Sequence, residues 1–285
     1  MTEKSPRERH KMMTRNKLTD VAEQAFVRSD FKASTLDVAK KASVAHGTIF
    51  FHFKNRDELI LAVVRRLVLD ITDKLHSAYV DSQSLNEFLS KHFETFRANW
   101  RSIKSLMAGF SEFNQDVKQE VISLLAVANY YTIESFNRWA DKALVRTNAW
   151  QGALVYLSFF GDYMFEQKNI SEKFMEQLLS FVADVPSRAT QEVIDQKTKK
   201  KLCRSCGMIL YAQDDFPRGD TTGEYCRYCT HGDGSLKSFD DVVDTMTSFF
   251  EKTQVLNTNA ARRTALAVLA KNPAWRERVA SREKE

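Results

Sequence analysis

Proline is absent from a long central part of the chain, and this limits the possible folds more than any other feature. No proline occurs between residues 7 and 185, and only three glycines occur between residues 48 and 206. Because both residues break helices and build turns, their scarcity favours long helices over a turn-rich sheet, and the sequence predicts a mainly α fold. Apolar residues also recur at helical spacing, for example at Leu59, Ile60, Ala62, Val63, Leu67 and Ile71.

The positive charge of the chain is concentrated at its N-terminal end. Residues 1–56 carry 12 Lys or Arg against 6 Asp or Glu, whereas the remainder carries 30 against 31. A local positive field attracts polyanions such as nucleic acid, although a solvated basic tail has the same composition. The N-terminus is charged and no apolar run approaches about 18 residues, so we expect a cytoplasmic protein without a membrane segment.

The first 60 residues contain the pattern of two successive helices. The segment Ser34-Thr35-Leu36-Asp37 pairs a hydroxyl cap with a carboxylate three residues later, which predicts that the second helix starts there. This helix should end near Ser43 and bury Leu36, Ala39 and Ala42. The inward face of the first helix, at offsets of 0, 3, 4, 7 and 8, consists of Leu18, Val21, Ala22, Ala25 and Phe26.

A short third helix is predicted over residues 46–53, with Ile49 and Phe53 facing inward. The side chains expected to face outward, into a major groove, are those of His46, Thr48 and His52. Asn55 and Glu58 form a further cap pair, so a fourth helix should open at Arg56 with its N–H groups and guanidinium available to a phosphate. The pattern indicates DNA binding, and a small bundle with solvated polar residues is the alternative.

Residues 35–59 read TLDVAKKASVAHGTIFFHFKNRDEL and closely resemble the DNA-binding region of tetracycline-repressor-type regulators. The family pattern has a threonine, an A-x-x-A pair, a V-x-x-G-T turn and helix, an aromatic-x-His-Phe, a basic residue and a leucine. The resemblance covers about residues 10–60 and implies two sets of DNA contacts. The phosphate contacts are Thr35, His52 and Arg56, and the groove contacts are Val44, His46, Gly47 and Thr48.

Two residues depart from the family pattern. Ala45 stands where a serine or threonine is usual, so the third helix lacks a side-chain cap that stabilises a helix by about 1 kcal/mol. Phe50 replaces the usual tyrosine, so a hydroxyl contact with phosphate is absent there or shifts to His52. Neither change is expected to break the fold.

In this family the helices after the DNA-binding region form an effector pocket, and the last two pack against a partner. The resemblance therefore implies a homodimer joined near residues 148–166 and 171–185, and a two-fold protein also suits paired half-sites. The large side chains of residues 93–165 suit an apolar or aromatic effector of unknown identity, and equally an ordinary core. They are Phe96, Trp100, Met107, Phe110, Phe113, Tyr130, Tyr131, Phe136, Trp139, Trp150, Tyr156, Phe159, Phe160 and Tyr163.

All four cysteines lie in two Cys-x-x-Cys pairs separated by 19 residues, a spacing typical of two knuckles that close a tetrahedral zinc site. Two disulfides fit a cytoplasm poorly, and a redox Cys-x-x-Cys needs only one pair. We therefore expect one structural zinc per chain, with Gly207 easing the first turn and a short β-hairpin arm between the pairs. The expected metal ligands are Cys203, Cys206, Cys226 and Cys229.

The segments CRSCGMIL, GEYCRYC and SFDDVV also resemble a small bacterial zinc-ribbon module, and this resemblance implies a fold but no activity. The sequence shows no open metal-ligand set, no glycine-rich phosphate loop after a strand and no nucleophile motif. We therefore do not expect an enzyme.

These patterns predict four parts. They are a helix-turn-helix domain at residues 1–56, an all-α effector-binding and dimerisation domain at 57–197, a zinc ribbon at 198–237 and a C-terminal helical segment at 238–285. The leading hypothesis is a dimeric regulator that binds double-stranded operator DNA and is a repressor released by a small effector. Two alternatives remain, in which the ribbon senses zinc or thiol redox state, or recruits a protein partner.

Overall fold

The computed structural model describes residues 5–139 and 201–282, and these residues are mainly helical, as predicted. The predicted dimer helices near residues 148–166 and 171–185 lie outside the described residues. Among the helices that are described, none has the length and apolar character needed to cross a membrane. The helices are α1 (Pro6–Arg28), α2 (Thr35–Ala42), α3 (His46–His52), α4 (Arg56–Asp81), α5 (Leu85–Ala98), α6 (Trp100–Gly109), α7 (Gln115–Trp139), α8 (Phe239–Gln254), α9 (Thr258–Leu269) and α10 (Arg276–Arg282).

The chain divides into two compact units. The first comprises residues 1–70 and 99–121, and the second comprises residues 71–98 and 122–285. The four-part division proposed above stays a prediction, because its central boundary at residues 197 and 198 lies outside the described residues.

Local capping chemistry sets the helix boundaries of the first unit. Ser5 caps α1 reciprocally with Glu8, and Pro6 occupies the first helical position, where its missing N–H leaves no donor unsatisfied. Helix α1 buries Leu18, Ala22, Ala25 and Phe26 as predicted, while Val21 is half-buried and Thr19 is buried. The stripe of apolar residues therefore identifies the correct face of this helix.

Helix α2 begins and ends where the sequence predicts, but one of its predicted core residues is wrong. Ser34 accepts a hydrogen bond from the Asp37 amide at 3.1 Å, and Ser43 ends the helix in the left-handed conformation with φ 56°. The buried residues are Val38, Ala39 and Ala42. Leu36 is 43% exposed, because it lies about a third of a turn from the centre of that face.

Aromatic packing joins the helices of the second unit. The Tyr130 ring on α7 lies 5.6 Å from the Phe250 ring on α8, and the Gln254 side chain donates to the Ala126 carbonyl at 3.2 Å. Asn257 caps α9, and Pro273 lies in the turn before α10, where the predicted C-terminal helical pattern breaks. Helix α9 also contacts α7, since the Thr264 hydroxyl donates to Ser123 Oγ at 3.4 Å.

Most large side chains of the central region that the structure describes are buried. Seven of the predicted set are buried, whereas Met107 is 49% exposed and Phe110 is half-buried. The seven are Phe96, Trp100, Phe113, Tyr130, Tyr131, Phe136 and Trp139. The remaining five, from Trp150 to Tyr163, lie outside the described residues.

Candidate DNA-binding surface and metal centre

Helices α2 and α3 form a compact helix-turn-helix. The left-handed Ser43 reverses the chain after α2, and the Val44 amide donates to the Ala39 carbonyl at 3.1 Å. Where the two helices begin, Thr35 Oγ1 lies 3.0 Å from His46 Nε2. This contact ties the first residue of α2 to the first residue of α3, so two of the predicted DNA-contact residues are brought together.

The N-terminal half of α3 is open to solvent. His46 and Gly47 are exposed, and Val44 and Thr48 are half-buried. A Cβ atom added to Gly47 would meet nothing within 4 Å, so no packing inside the chain explains a glycine there. Ala45 makes no side-chain cap bond, as expected from its departure from the family pattern.

The predicted outward orientation of His52 is wrong. His52 is 8% exposed, because it follows Ile49 by three residues and so lies beside that buried side chain. Burial, followed by the nearby charges of Arg15 and Lys11, lowers the pKa of His52, which disfavours a cationic contact with phosphate. Phe51 is 68% exposed, so an aromatic ring occupies the surface expected for the histidine. Phe53 is buried as predicted.

Arg56 opens α4 as predicted, but its guanidinium already has partners in the protein. Nε donates to the Ala33 carbonyl at 3.2 Å, and Nη2 donates to the Phe31 carbonyl. Asn55 Oδ1 accepts from the Glu58 amide at 2.8 Å, which confirms the predicted cap. Arg56 therefore holds the loop before α2 in place, so the expectation of a fully available guanidinium is corrected.

Arg15 links α1 to the end of α3. Its guanidinium lies 4.1 Å from the centre of the Phe53 ring and donates to the His52 carbonyl. It also lies 3.5 Å from the Glu58 carboxylate on α4. Arg15 is not among the predicted site residues, because neither periodicity nor a capping pattern singles it out.

The four cysteine sulfurs converge in one buried cluster within the second unit. All four Sγ atoms lie within 4.8 Å of one another, and the cysteines are between 0% and 7% exposed. The Sγ atoms of Cys206 and Cys226 are 3.7 Å apart, far beyond a disulfide bond of about 2 Å. A tetrahedron with zinc–sulfur bonds of about 2.3 Å has sulfur–sulfur edges of about 3.8 Å, so the spacing fits such a metal.

The ionisation of the sulfurs also favours a cation at their centre. Hydrogen bonding from Cys206 and the other two cysteines lowers the pKa of the Cys203 thiol. Hydrogen bonding with Cys203, together with burial, raises the pKa values of Cys206 and Cys229. One thiolate therefore suppresses the ionisation of the neighbouring thiols. Four thiolates can lie this close together only around a bound cation.

Each cysteine pair lies in a turn closed by its own backbone. In the first, the Cys203 amide donates to the Met208 carbonyl at 2.8 Å, and Gly207 adopts φ +83°, which confirms its predicted role. The two turns are joined by the Cys226 amide, which donates to Cys203 Sγ at 3.3 Å. The predicted hairpin arm between the pairs is wrong, because this stretch forms short 3₁₀ turns at residues 213–215 and 217–219.

The first cysteine turn is anchored to helices of the same unit by two buried tyrosines. Tyr130 on α7 donates to the Cys206 carbonyl at 3.0 Å, and Tyr79 on α4 donates to the Gly207 carbonyl at 2.9 Å. The Trp275 indole N–H also donates to Ser205 Oγ at 2.8 Å. Because these bonds are buried, the ribbon is part of the unit's core.

Comparison with known families agrees with both sites. Residues 18–63 match the family described as "Bacterial regulatory proteins, tetR family". Over these residues, the N-terminal part of the chain is similar to the tetR family. Residues 202–276 match the family described as "Putative zinc ribbon domain". The tetR family is described as one of regulatory proteins, in agreement with the DNA-binding pattern of these residues.

Curated relatives are similar to the chain over its N-terminal part. It is 32% identical over 93 residues to an uncharacterized HTH-type transcriptional regulator of Haemophilus influenzae, covering 30% of this chain and 46% of that protein. It is 36% identical over 71 residues to the uncharacterized HTH-type transcriptional regulator YhgD of Bacillus subtilis, covering 25% and 37%. The matched part therefore spans less than half the length of these relatives.

Solved structures of regulators also align with the chain. One is the crystal structure of the transcriptional regulator FadR from Bacillus subtilis in complex with stearoyl-CoA. It shares 14% identity with a TM-score of 0.47, covering 60% of this chain and 98% of that chain.

Proposed function

We propose that this chain is a sequence-specific transcriptional regulator that acts in the cytoplasm as a homodimeric repressor and is released from operator DNA by a small effector. The supporting observation is the open N-terminal half of α3 on a tetR-family helix-turn-helix. Positive charge on the surrounding residues 1–56 suits a duplex. The exposed basic side chains of this region include Arg7, Arg9, Lys11, Lys32, Lys40, Lys41 and Lys54.

We assign different roles to the residues of the motif. His46, Gly47 and Thr48 would meet base edges, and this role is supported by the open start of α3 that they form with Val44 beside them. Thr35 and the N-terminus of α4 at Arg56 would meet the DNA backbone. Phe51 replaces His52 in this proposal, since an exposed ring can contact a thymine methyl group.

Substitutions in the motif should separate affinity from sequence preference. Thr48→Ala should change the preference among duplexes selected from a random-sequence pool, because it removes a base-edge contact. Arg56→Ala should weaken binding to all duplexes about equally and lower the salt slope by about 1. It should also lower the melting temperature of the free protein, because two carbonyls lose their donor.

Arg65→Ala is a suitable control for the lost charge, because Arg65 lies on the same helix and pairs with Glu120 at 2.9 Å. The salt dependence of DNA binding by Arg65→Ala should match that of the wild type. If Arg56→Ala binds DNA with unchanged affinity and unchanged salt dependence, the proposed docking is wrong.

Dimerisation through the helices predicted near residues 148–166 and 171–185 rests on the sequence pattern. Leu178→Asp would place a charge on the apolar stripe predicted for the second of these helices. Sedimentation equilibrium should show a dimer for the wild-type chain and a monomer for this variant, which should also bind DNA more weakly. Val255→Asp provides a control, because Val255 is 90% exposed in a left-handed turn where aspartate is tolerated. A dimer that survives Leu178→Asp would move the interface elsewhere.

The proposed role of zinc is to hold the ribbon together. The four sulfurs would ligate the metal, whose bonds supply folding free energy. Sensing by the ribbon remains a second candidate, because Tyr79 and Tyr130 connect its first turn to α4 and α7. DNA binding measured with apo, zinc-loaded and oxidised protein distinguishes the two, since a structural metal predicts no graded response before unfolding.

A further inference from the structure

The last two turns of α7 carry a row of buried polar groups that have no hydrogen-bond partner among the residues that the structure describes. Five such atoms come from this one row: Tyr131 OH, Ser135 Oγ, Arg138 Nε and Nη1, and Trp139 Nε1. Their sequence offsets of 0, 4, 7 and 8 place the four side chains within an arc of about 100° and a length of about 12 Å. We call these four residues the α7 polar row. Buried polar groups are normally satisfied, so this concentration requires an explanation.

Arg138 is the charged member of the α7 polar row, so its burial costs the most free energy. It is 9% exposed, and its guanidinium lies 4.5 Å from the centre of the neighbouring Trp139 ring. No ion pair to Arg138 occurs within residues 5–139 and 201–282. Removing one charge from water without a counter-charge costs several kcal/mol, which a cation–π contact of about 1–2 kcal/mol does not offset.

The acidic residue nearest in sequence does not neutralise Arg138. Glu134 lies one turn earlier, but its carboxylate accepts from the Ile209 amide at 3.5 Å and from the Asn137 side chain. Burial raises the pKa of Glu134 to about 7, so a large part of it is neutral near neutral pH. Within the described part of the chain, no carboxylate therefore compensates the charge of the guanidinium.

The chemistry of the orphaned atoms defines the complementary group. The arginine and tryptophan nitrogens can only donate, and the two hydroxyls can also donate. A row of converging donors around one positive charge is complementary to an oxyanion, and arginine in particular forms paired hydrogen bonds with carboxylate or phosphate. A water molecule could accept from one donor but could not neutralise the charge.

Apolar rings border the row. The Tyr131 ring stacks on Tyr79 at 5.4 Å and meets the His76 ring edge-on at 5.6 Å, and Phe136 is fully buried. A ligand here would therefore meet rings beside the charged group. This setting suits a small molecule that carries one anionic group on an apolar or aromatic body.

We propose that the α7 polar row is the anion-recognition part of the effector site, and that the effector carries a carboxylate or phosphate bound by Arg138. This inference rests on the proposed function, because an effector site belongs to a ligand-released regulator. It extends the sequence-based expectation of an apolar or aromatic effector by adding the charge. Tyr131, Ser135 and Trp139 supply neutral donors around the oxyanion.

The proposal predicts that a substitution of a buried residue leaves the melting temperature unchanged or raises it. If Arg138 waits for a ligand, Arg138→Met removes an uncompensated charge while keeping the chain length. The ligand-free variant should then melt at the wild-type temperature or about 2–4 °C higher. A structural arginine with a partner in the protein would instead lower the melting temperature. Ser135→Ala removes one orphaned hydroxyl with little change in packing and should be neutral or stabilising in the same way.

Anion binding is measured on the full chain with benzoate, decanoate, phenyl phosphate and inorganic phosphate, and with neutral benzamide as the matched control. At least one anion should raise the wild-type melting temperature and change the tryptophan emission, whereas benzamide should not. Trp139→Phe should remove the emission change. Arg138→Met should bind the stabilising anion about 10-fold or more weakly, and Arg138→Lys should fall between the two. Preference for benzoate or decanoate over phenyl phosphate would assign a carboxylate, and the reverse would assign a phosphate.

The proposal is overturned if none of the four anions stabilises the wild-type chain, if benzamide acts as well as benzoate, or if ligand-free Arg138→Met is clearly destabilised. DNA binding by the same proteins tests the proposed function separately. Anion binding at Arg138 in a chain that binds no duplex would refute the regulator and keep the anion site. DNA binding without any response to anions would do the opposite.

Discussion

Replacing Cys226 with serine should abolish metal binding and unfold the second compact unit, rather than the ribbon alone. The apolar side chains of residues 202–230 are few, and a structural zinc contributes on the order of 10 kcal/mol to the folding of such modules. The substitution also removes the buried Cys226 sulfur, which lies 3.7 Å from the Cys206 sulfur. The Cys206 and Gly207 carbonyls would then leave their tyrosine donors, so the effect should reach α4 and α7.

Metal content and hydrogen exchange measure this outcome together. The wild-type chain should contain about one zinc, and Cys226→Ser should contain none. Protection of backbone amides from exchange should fall in α7, α8 and α9 of the variant. Helices α1 to α3 should keep their protection, and residual DNA binding by these helices should persist. His231→Ala is the matched control, because His231 is an exposed potential metal ligand close in sequence to Cys229. Full protection of α7 in a metal-free variant would show that the ribbon folds independently, and metal-free wild-type protein with two disulfides would refute the site.

The features that sequence reasoning placed correctly depend on chemistry between residues close in the chain. The Ser34–Asp37 and Asn55–Glu58 caps each join residues three apart, so their pattern is visible in the sequence. The cysteine spacing is equally local within each pair, and thiolate chemistry restricts what two pairs can do together. These patterns located the helix-turn-helix and the sulfur cluster.

The errors in the first unit concern how a short helix is rotated about its axis. A helix of seven residues such as α3 completes about two turns. The spacing of so few apolar residues does not determine which side chains at the edges of the apolar face are buried. Arg15 packs on Phe53 and donates to the His52 carbonyl, and this long-range contact settles the rotation. His52 is therefore buried and Phe51 exposed.

The second unit holds the contacts that no local pattern reveals. Tyr79 and Gly207 are 128 residues apart, and Tyr130 and Cys206 are 76 residues apart. In the sequence, Tyr131 and Trp139 look like ordinary core residues and Arg138 looks like a surface charge on a long helix. Only the packed structure shows that the guanidinium is buried and that no carboxylate of the described residues pairs with it, which is why the α7 polar row could not be predicted.

Buried His92 should make the second unit sensitive to mild acid. His92 is 5% exposed on α5, and burial lowers its pKa to about 4 from an ordinary value of 6.5. Between these two values the unfolded chain binds a proton that the folded chain rejects. Stability therefore falls as the pH drops from about 6.5, and this contribution is fully lost near pH 4.

The expected loss is about 2 kcal/mol between about pH 7 and about pH 5, from a single group with these two pKa values. Urea unfolding of wild type and His92→Gln at both pH values measures it, because the glutamine keeps a polar side chain of similar size without the titration. Weakened zinc–thiolate bonds at the lower pH affect both proteins and cancel in the difference. His10→Gln is the control, since His10 is exposed on α1 and should lose as much stability as the wild type. Equal losses in wild type and His92→Gln would show that His92 takes up its proton without unfolding the unit, and that its burial does not exclude the charged form.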